Sequence, residues 1–244
     1  MCTILIATRC APDCPLFVVA NRDESYVRPA SSPALREIGG MRVLAPRDER
    51  SGGSWLGLNE AGIFVAITNR FEVERRPHHR SRGELVWQSL GRASVEEALE
   101  GVRGLSPADY GGFHLLLADE TRAQVIWSDG EVFREEVLAP GYHALSERSF
   151  GAGASKRLER LARQLPGQRP LNDGMRRSLI EAMAWRDEEH PFESTCVHMP
   201  ELDYGTRSST LVALGERVRF EHAEGPPCEA DYVSYAAELK ALGL

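Results

Sequence analysis

Short apolar runs closed by turn-forming residues fill the first 70 positions of this chain, and they constrain its fold more than any other feature. Residues 3–8, 16–20, 42–45, 54–58 and 63–68 each have the length and composition of a β-strand. The segment Asn59-Glu60-Ala61-Gly62 separates the last two runs and predicts a hairpin turn. The amino-terminal part of the chain is therefore predicted to form antiparallel strands.

Helical patterns follow in pairs. Ser81 predicts the cap of a helix that begins near Arg82, and residues 94–102 predict a second helix. Helical spacing of apolar residues returns at 155–165 and 175–183, and Asp231 predicts the cap of a final helix. Strand-like runs lie between these pairs at 113–118, 124–127, 131–134, 210–214 and 218–222. Hairpins that alternate with helix pairs favour an α+β fold with antiparallel sheets, in a single domain over residues 1–244.

The charge balance argues against two classes of partner. The chain has 244 residues, a formal net charge of -7 and a pI near 5.6, whereas binding to nucleic acid or an anionic membrane surface needs a dominant basic field. No apolar run reaches the roughly 18 residues of a membrane span, so we expect no integral membrane association. The five cysteines are odd in number and scattered, which predicts reduced thiols and a cytoplasmic location.

Cys2 is the first candidate catalytic residue. If Met1 is removed, Cys2 carries both a thiol and a free α-amine, and an α-amine titrates near pH 7.7 to 8.0. The amine can then take the thiol proton and return it to a leaving group, so that one residue supplies nucleophile and base. The alternative is that Cys2 is a small apolar residue at the start of a buried strand.

Asn21-Arg22-Asp23-Glu24 follows the second apolar run, and a hairpin of the first two strands would bring this segment beside Cys2. The arginine would favour the thiolate, and a carboxylate could orient the α-amine. A solvated hairpin end with an arginine–carboxylate pair is the alternative.

These residues belong to an ordered set of motifs from residue 1 to about 214. The set resembles the NRDE family, also called the transport and Golgi organisation protein 2 family. The motifs are Met1-Cys2-Thr3-Ile4, Asn21-Arg22-Asp23-Glu24, Gly52-Gly53-Ser54-Trp55-Leu56-Gly57, Asn59-Glu60-Ala61-Gly62, Thr68-Asn69, Ser81-Arg82-Gly83, Tyr110-Gly111-Gly112-Phe113 and Tyr204-Gly205-Thr206-Arg207-Ser208-Ser209-Thr210.

The resemblance implies an N-terminal-nucleophile hydrolase-like fold, a four-layer αββα sandwich of two antiparallel sheets flanked by helices. It also implies distant kinship with choloylglycine hydrolases and penicillin V acylases, which cleave amides with an N-terminal cysteine. By that similarity the catalytic set is Cys2, Arg22, Asp23, Asn69 and Arg207, with Asn69 as a donor to the developing oxyanion. The candidate substrate contacts are Asn21, Glu24, Trp55, Arg82 and Glu147, and the alternative for Trp55 is that it packs in the core.

Two positions depart from the pattern of those hydrolases. Arg22 and Asp23 are adjacent, so their side chains face opposite sides of a regular strand, and Glu24 is the acid on the arginine's side. Glu147 stands where the family usually has an asparagine, and an ionised carboxylate can only accept hydrogen bonds. A forming oxyanion beside Glu147 would therefore be repelled.

Two functions stay open. The first is hydrolysis of a linear amide (C–N) bond in a small substrate, with no cofactor required. The second is a non-catalytic role in binding or carrying a small molecule, as proposed for the family in haem trafficking and in lipid or Golgi homeostasis. A basic segment after Asn69 could recognise an anionic group on either ligand; it comprises Arg70, Arg75, Arg76, His78, His79, Arg80 and Arg82, with Glu72 and Glu74 as neutralising acids.

The remaining cysteines predict no metal site. Cys10 and Cys14 lie in one turn, but no second pair follows at ligand spacing, and Cys196 with His198 is remote in the sequence. Cys14 precedes Pro15, a dipeptide that can supply a haem thiolate ligand, so haem is a candidate ligand. Oligomeric state is not determined by these patterns.

Overall fold

The computed structural model describes residues 2–71, 73, 76, 78–165, 167 and 169–244. The strands in these residues form two antiparallel sheets. The strands are β1 (Cys2–Thr8), β2 (Leu16–Ser25), β3 (Ala30–Ile38), β4 (Met41–Asp48), β5 (Leu56–Asn59), β6 (Phe64–Asn69), β7 (Phe113–Ala118), β8 (Ala123–Ser128), β9 (Phe133–Val137), β10 (Gly141–Leu145), β11 (His198–Met199), β12 (Tyr204–Leu214), β13 (Arg219–Ala223) and β14 (Val233–Ser234). The helices are α1 (Arg82–Leu90), α2 (Val95–Arg103), α3 (Lys156–Gln164), α4 (Asp173–Met183) and α5 (Ala236–Leu242).

The chain divides into two compact units, and each contains one of the sheets. The first unit comprises the residues up to Arg28 together with Ala139–Ala236. Its sheet has the strand order β10-β1-β2-β12-β13-β14, and β11 pairs with β12. The second unit comprises Pro29–Leu138 and Ala237–Leu244, with the strand order β3-β4-β5-β6-β7-β8-β9.

Helices α3 and α4 cover one face of the sheet in the first unit. Alternate residues of the central strands, including Leu5 in β1 and Val19 in β2, pack with Leu161, Leu179 and Met183 from the two helices. Because side chains alternate between faces along a strand, the positions between them point to the opposite face. This alternation decides on which side of the sheet each candidate site residue lies.

The second unit has the same kind of packing. Val65 and Leu115, from neighbouring strands, pack against Leu85, Leu90 and Leu99 of α1 and α2. Within this unit the predicted Asn59 hairpin is confirmed, since β5 and β6 pair across it. The fully buried Asn59 amide donates to the carbonyls of Leu90 and Arg92 at 2.9 and 2.8 Å, which fixes the end of α1 on the hairpin.

Most predicted strands and helices are confirmed. The two-residue strands β11 and β14 are too short to give a pattern, and the larger differences have local causes. β3 was not predicted because its burial pattern is mostly exposed or intermediate, which gives little hydrophobic alternation. β10 is also largely half-buried and was missed for the same reason. The final helix begins at Ala236, so the prediction of a cap at Asp231 was wrong; β14 occupies the intervening residues.

Among the described residues, no helix has both the length and the hydrophobicity needed to cross a bilayer. The single domain expected over residues 1–244 stays a prediction.

Candidate active site

Cys2 lies at the start of β1, directly opposite Arg22 in β2. The register of this antiparallel pair runs from Cys2↔Arg22 to Thr8↔Leu16, as the predicted hairpin requires. Directly opposed residues in a sheet point to the same face, so the thiol and the guanidinium share a side. Arg22 is 5% exposed, and Cys2 is partly buried. The strand pairing therefore holds a buried cation beside the candidate nucleophile.

Opposing effects act on the Cys2 thiol. Burial raises its pKa above the ordinary value, and the negative charge of Asp23 acts in the same direction. The backbone N–H of Asp23 and the charge of Arg22 lower the pKa, but the net shift is upward. The thiol is therefore neutral near pH 7 and needs a base before it can attack, which is the role that a free α-amine can fill.

Asp23 lies on the helix-covered face of the same strand, and it is buried. Its Oδ1 accepts a hydrogen bond of 2.7 Å from the Thr206 hydroxyl of β12. The same hydroxyl accepts from the backbone N–H of Val197 at 2.8 Å, so the direction of the Thr206 proton toward Asp23 is fixed. Burial raises the pKa of Asp23, whereas Arg157 and the Thr206 hydrogen bond oppose the rise. Tyr204 adds a hydrogen bond of 3.1 Å to the Asp23 carbonyl.

Arg157 of α3 is a site residue that the sequence patterns missed. Its side chain is 1% exposed, and its Nη1 donates to the Thr3 hydroxyl at 3.0 Å and to Glu147 Oε2 at 3.4 Å. Its Nη2 donates to the carbonyl of Phe192. The available signal was its i, i+4 spacing to Leu161, which places Arg157 on the apolar face of a helix.

Glu147 is therefore held in a buried ion pair. Its side chain is 8% exposed, lies 3.4 Å from Arg157 and is also 3.9 Å from the Arg148 guanidinium. The two arginines offset the negative charge that the sequence predicted to repel an oxyanion. The carboxylate still has no hydrogen to donate in its ionised form.

Asn21 and Glu24 have different surroundings. The Asn21 amide donates to the carbonyls of Met183 and Thr195 at 2.9 and 2.7 Å, so it joins β2 to the end of α4 and the following loop. Glu24 accepts from its neighbour's backbone and lies 3.6 Å from Arg28 in a partly exposed ion pair. Of the two candidate acids, Asp23 is the one whose charge acts on the Cys2 thiol.

Arg207 supports the loop after β2. The register of β2 and β12 shifts at Thr206, and the bulge lets the Arg207 side chain reach back along the sheet. Its Nη1 donates to the carbonyls of Ser25 at 2.9 Å, Tyr26 at 2.5 Å and Arg28 at 3.4 Å. These contacts anchor the chain that leaves the site; the role of Arg207 in a substrate pocket stays a prediction.

Three predicted residues belong to the second unit. Asn69 ends β6 with an exposed side chain. Trp55 packs at the edge of that unit's core, and Arg82 donates from Nη1 to the Gly112 carbonyl at 3.0 Å. Their roles toward Cys2 stay predictions.

The basic segment is partly outside the described residues. Glu72, Glu74 and Arg75 are not described. Arg70 Nη1 lies 3.0 Å from the His114 ring, and Arg80 makes a partly exposed ion pair with Glu84, so both arginines have partners within the protein.

Cys14 is buried and donates from its sulfur to the Leu16 carbonyl at 3.4 Å. It lines a pocket of about 490 Å³ whose walls include Arg176, Arg217 and Arg219. Burial raises the pKa of Cys14, so the free thiol is protonated near pH 7. Whether haem occupies this pocket stays a prediction.

Comparison with known proteins agrees with the motif pattern. The model of the family described as "Transport and Golgi organisation 2" matches residues 1–225. The chain belongs to this family. It is 29% identical over 234 residues to the transport and Golgi organization protein 2 homolog of Bos taurus, with 82% of each chain covered. The Homo sapiens homolog is 28% identical over 235 residues, again with 82% of each chain covered.

Solved structures confirm the predicted N-terminal-nucleophile hydrolase-like fold. A Caenorhabditis elegans N-acylethanolamine-hydrolyzing acid amidase ortholog matches with a TM-score of 0.57 and 12% identity, covering 86% of this chain and 92% of that one. The C2A mutant of conjugated bile acid hydrolase from Clostridium perfringens matches with a TM-score of 0.52 and 12% identity, covering 97% of this chain and 93% of that one. Penicillin V acylase from Agrobacterium tumefaciens matches with a TM-score of 0.51 and 13% identity, covering 98% of this chain and 88% of that one. At these identities the similarity concerns the fold.

Proposed function

We propose that this protein is an N-terminal-cysteine amidohydrolase that cleaves a linear C–N bond in a small substrate. The observation that carries the proposal is the strand register that sets Cys2 opposite Arg22, with the buried Asp23 next along the strand. The names of the fold relatives, an acid amidase, a bile acid hydrolase and a penicillin acylase, point to the same reaction class.

The chemistry begins with removal of Met1, which lies outside the described residues. The α-amine of Cys2 then takes the thiol proton, and the sulfur attacks the carbonyl carbon of the amide. The protonated amine returns the proton to the leaving nitrogen, the C–N bond breaks, and a thioester remains on Cys2. Water attacks the thioester with the amine as base, which releases the acid and regenerates the thiol.

Arg22 and Asp23 have separate roles in these reaction steps. Arg22 shares the face of the thiol and favours the thiolate during attack. Asp23 follows Arg22 in β2, points to the other face of the sheet and accepts a hydrogen bond from Thr206. When it is ionised, its negative charge can favour the protonated form of the Cys2 α-amine. Burial raises the pKa of Asp23, and the charge of Arg157 opposes that rise, so Arg157 favours the ionised form of this carboxyl.

The test uses intact-mass spectrometry on protein with a native amino terminus. The mature chain is expected to begin at Cys2 with an unmodified amine, and incubation with a panel of N-acyl substrates is expected to trap an acyl adduct on that residue. Cys2→Ala should form no adduct, whereas the matched variant Cys10→Ala should react like the wild type, because Cys10 bonds to the Thr8 carbonyl away from this register position. A chain that retains Met1, or a reactive Cys2 that no substrate acylates, would refute the proposal.

A second function, carriage of an anionic small molecule such as haem, is favoured by the pocket at Cys14. Its walls carry Arg176, Arg217 and Arg219 together with Asp13, Asp173 and Glu216, and Arg176 pairs with both aspartates. Arg217 and Arg219 could meet the carboxylates of such a ligand, and the nearby thiol could bind iron after losing its proton. Haem titration followed by the Soret band should then give one equivalent of binding. Cys14→Ala should shift the band, while Cys10→Ala should not; equal spectra for both variants would exclude a Cys14 ligand.

A further inference from the structure

Two cysteines and a histidine from two parts of the sequence, Cys196 with His198 and the distant Cys228, lie close together in the first unit. Cys196 Sγ lies 2.8 Å from Cys228 Sγ and 3.5 Å from His198 Nε2, and His198 Nε2 is 3.1 Å from Cys228 Sγ. Among the described residues this is the group in which three such ligand atoms lie within 4.8 Å of one another. We propose that Cys196, His198 and Cys228 bind a zinc ion.

The backbone brings these ligands together from two short segments. Cys196 is fixed by its N–H bond of 2.9 Å to the Trp185 carbonyl, and His198 pairs with Gly205 in β11. Cys228 lies in the turn after β13, which two bonds to the Pro226 carbonyl close. The ligands therefore project from hydrogen-bonded backbone, which limits the entropy lost when a metal binds.

The chemistry of the donor set selects the metal. Two thiolates and one imidazole are soft and borderline ligands, a combination that suits zinc better than magnesium or calcium. Zinc carries no redox change, so binding needs no oxidant or reductant, and the thiol protons go to solvent. In a tetrahedral site with Zn–S of about 2.3 Å the sulfurs would be about 3.8 Å apart, so the two thiols must separate by about 1 Å.

The other ring nitrogen of His198 faces a carboxylate. Its Nδ1 lies 3.7 Å from Glu229 Oε1, and His198 Nε2 faces the sulfurs. A carboxylate on the far nitrogen of a metal-binding histidine fixes the ring orientation and strengthens the imidazole as a ligand.

A pocket of about 240 Å³ opens onto the cluster, lined by Cys196 and His198 together with Ser194 and Glu201. Three protein ligands leave one tetrahedral position, and the pocket gives water or a small ligand access to it. The site lies beside Val197, whose N–H holds the Thr206 hydroxyl that binds Asp23. Metal binding would therefore stabilise the loop that supports the candidate active site.

The test is metal binding by the full chain, purified with reduced thiols. Zn²⁺ titrated against a chromophoric chelator is expected to bind with one-to-one stoichiometry, and Co²⁺ is expected to give thiolate-to-cobalt charge-transfer bands with the strong visible bands of a tetrahedral site. Cys228→Ser should weaken Zn²⁺ binding by more than about 100-fold, and the matched variant Cys10→Ser should leave it unchanged. Glu229→Gln, a change to an exposed side chain that should not affect folding, should weaken it by about tenfold.

Three outcomes would overturn the proposal. Absence of stoichiometric Zn²⁺ and of the cobalt charge-transfer bands in folded wild-type protein would exclude the site. Equal loss of binding in Cys10→Ser and Cys228→Ser would place the metal elsewhere. A reduced preparation in which dissolved oxygen converts the two thiols to a Cys196–Cys228 disulfide, lighter by two hydrogen atoms and unable to bind Zn²⁺, would show a redox pair instead.

Discussion

Replacing Arg157 with methionine tests whether the buried charge network holds the candidate active site together. The change keeps the apolar stem but removes the guanidinium, and with it the bonds to the Thr3 hydroxyl, Glu147 and the Phe192 carbonyl. Glu147, 8% exposed, would lose its buried partner. The more exposed Arg148, 3.9 Å away, would remain its only charged partner of the two. Because removing the buried partner of a buried ion pair costs about 3–5 kcal/mol, we expect the free energy of unfolding to fall by about that amount.

The measurement is urea unfolding followed by tryptophan fluorescence. With a denaturant slope of about 3 kcal/mol/M, a loss of 3–5 kcal/mol lowers the midpoint by roughly 1 to 1.7 M. Arg219→Met is the matched control in the same unit, since Arg219 pairs with Glu221 at 2.7 Å but is 47% exposed. An exposed pair of this kind contributes at most about 1 kcal/mol.

The double variant Arg157→Met/Glu147→Leu separates lost charge pairing from lost packing. Replacing both members of a buried ion pair with apolar residues is often neutral, so the double variant should regain about 2 kcal/mol or more relative to Arg157→Met alone. If Arg157→Met costs no more than Arg219→Met, or if the second change restores nothing, the buried pair does not stabilise the site as argued.

Three further perturbations follow from the structure. The pKa of Asp23 is raised in the folded state, so wild-type stability should fall as pH rises from about 4 through the folded-state pKa; Asp23→Asn, measured by urea unfolding, should gain stability relative to the wild type across that range. Asn59→Asp removes both amide hydrogen bonds to the end of α1 and should cost about 2 kcal/mol or more in the same assay. In Gly205→Ala the new Cβ would lie 2.8 Å from the Val197 carbonyl, and the thermal midpoint should drop by an amount equivalent to about 1–3 kcal/mol.

Each of these has its own contradicting result. A stability difference between Asp23→Asn and the wild type that shrinks as pH rises would mean that Asp23 is stabilised as a carboxylate. Asn59→Asp with wild-type stability would show that the two carbonyls find other donors. Gly174→Ala is the control for Gly205→Ala, because it lies in the first turn of α4, where alanine is favoured; equal midpoints for both variants would refute the predicted clash.

The β1–β2 hairpin shows how far local patterns determine the site. Apolar runs of strand length, followed by Asn21-Arg22-Asp23-Glu24, were sufficient to predict that Cys2 meets an arginine. The alternation of side chains along β2 also predicted that Arg22 and Asp23 lie on opposite faces; Arg22 is opposite Cys2, whereas Asp23 accepts a hydrogen bond from Thr206. Patterns with a period of two residues contain this information because they depend only on neighbouring positions.

The partners of these residues could not be predicted in the same way. Arg157 follows Thr3 by 154 positions, and the Asn21 amide reaches a carbonyl 174 positions away. Glu147 was interpreted as an isolated repulsive charge because nothing near it in sequence indicates a buried arginine. Cys196, His198 and Cys228 form a cluster only after β11, β12 and the turn following β13 are in place.

The sequence by itself determined the strands and helices that surround the nucleophile, the family, and the face on which each residue of β2 lies. The tertiary structure decided which buried charges are neutralised, which acid acts on the Cys2 thiol and which distant thiols meet a histidine. The physical reason is that hydrophobic periodicity is a local property of the chain, whereas the pairing of a buried charge depends on groups that only the packing of the whole unit brings within bonding distance.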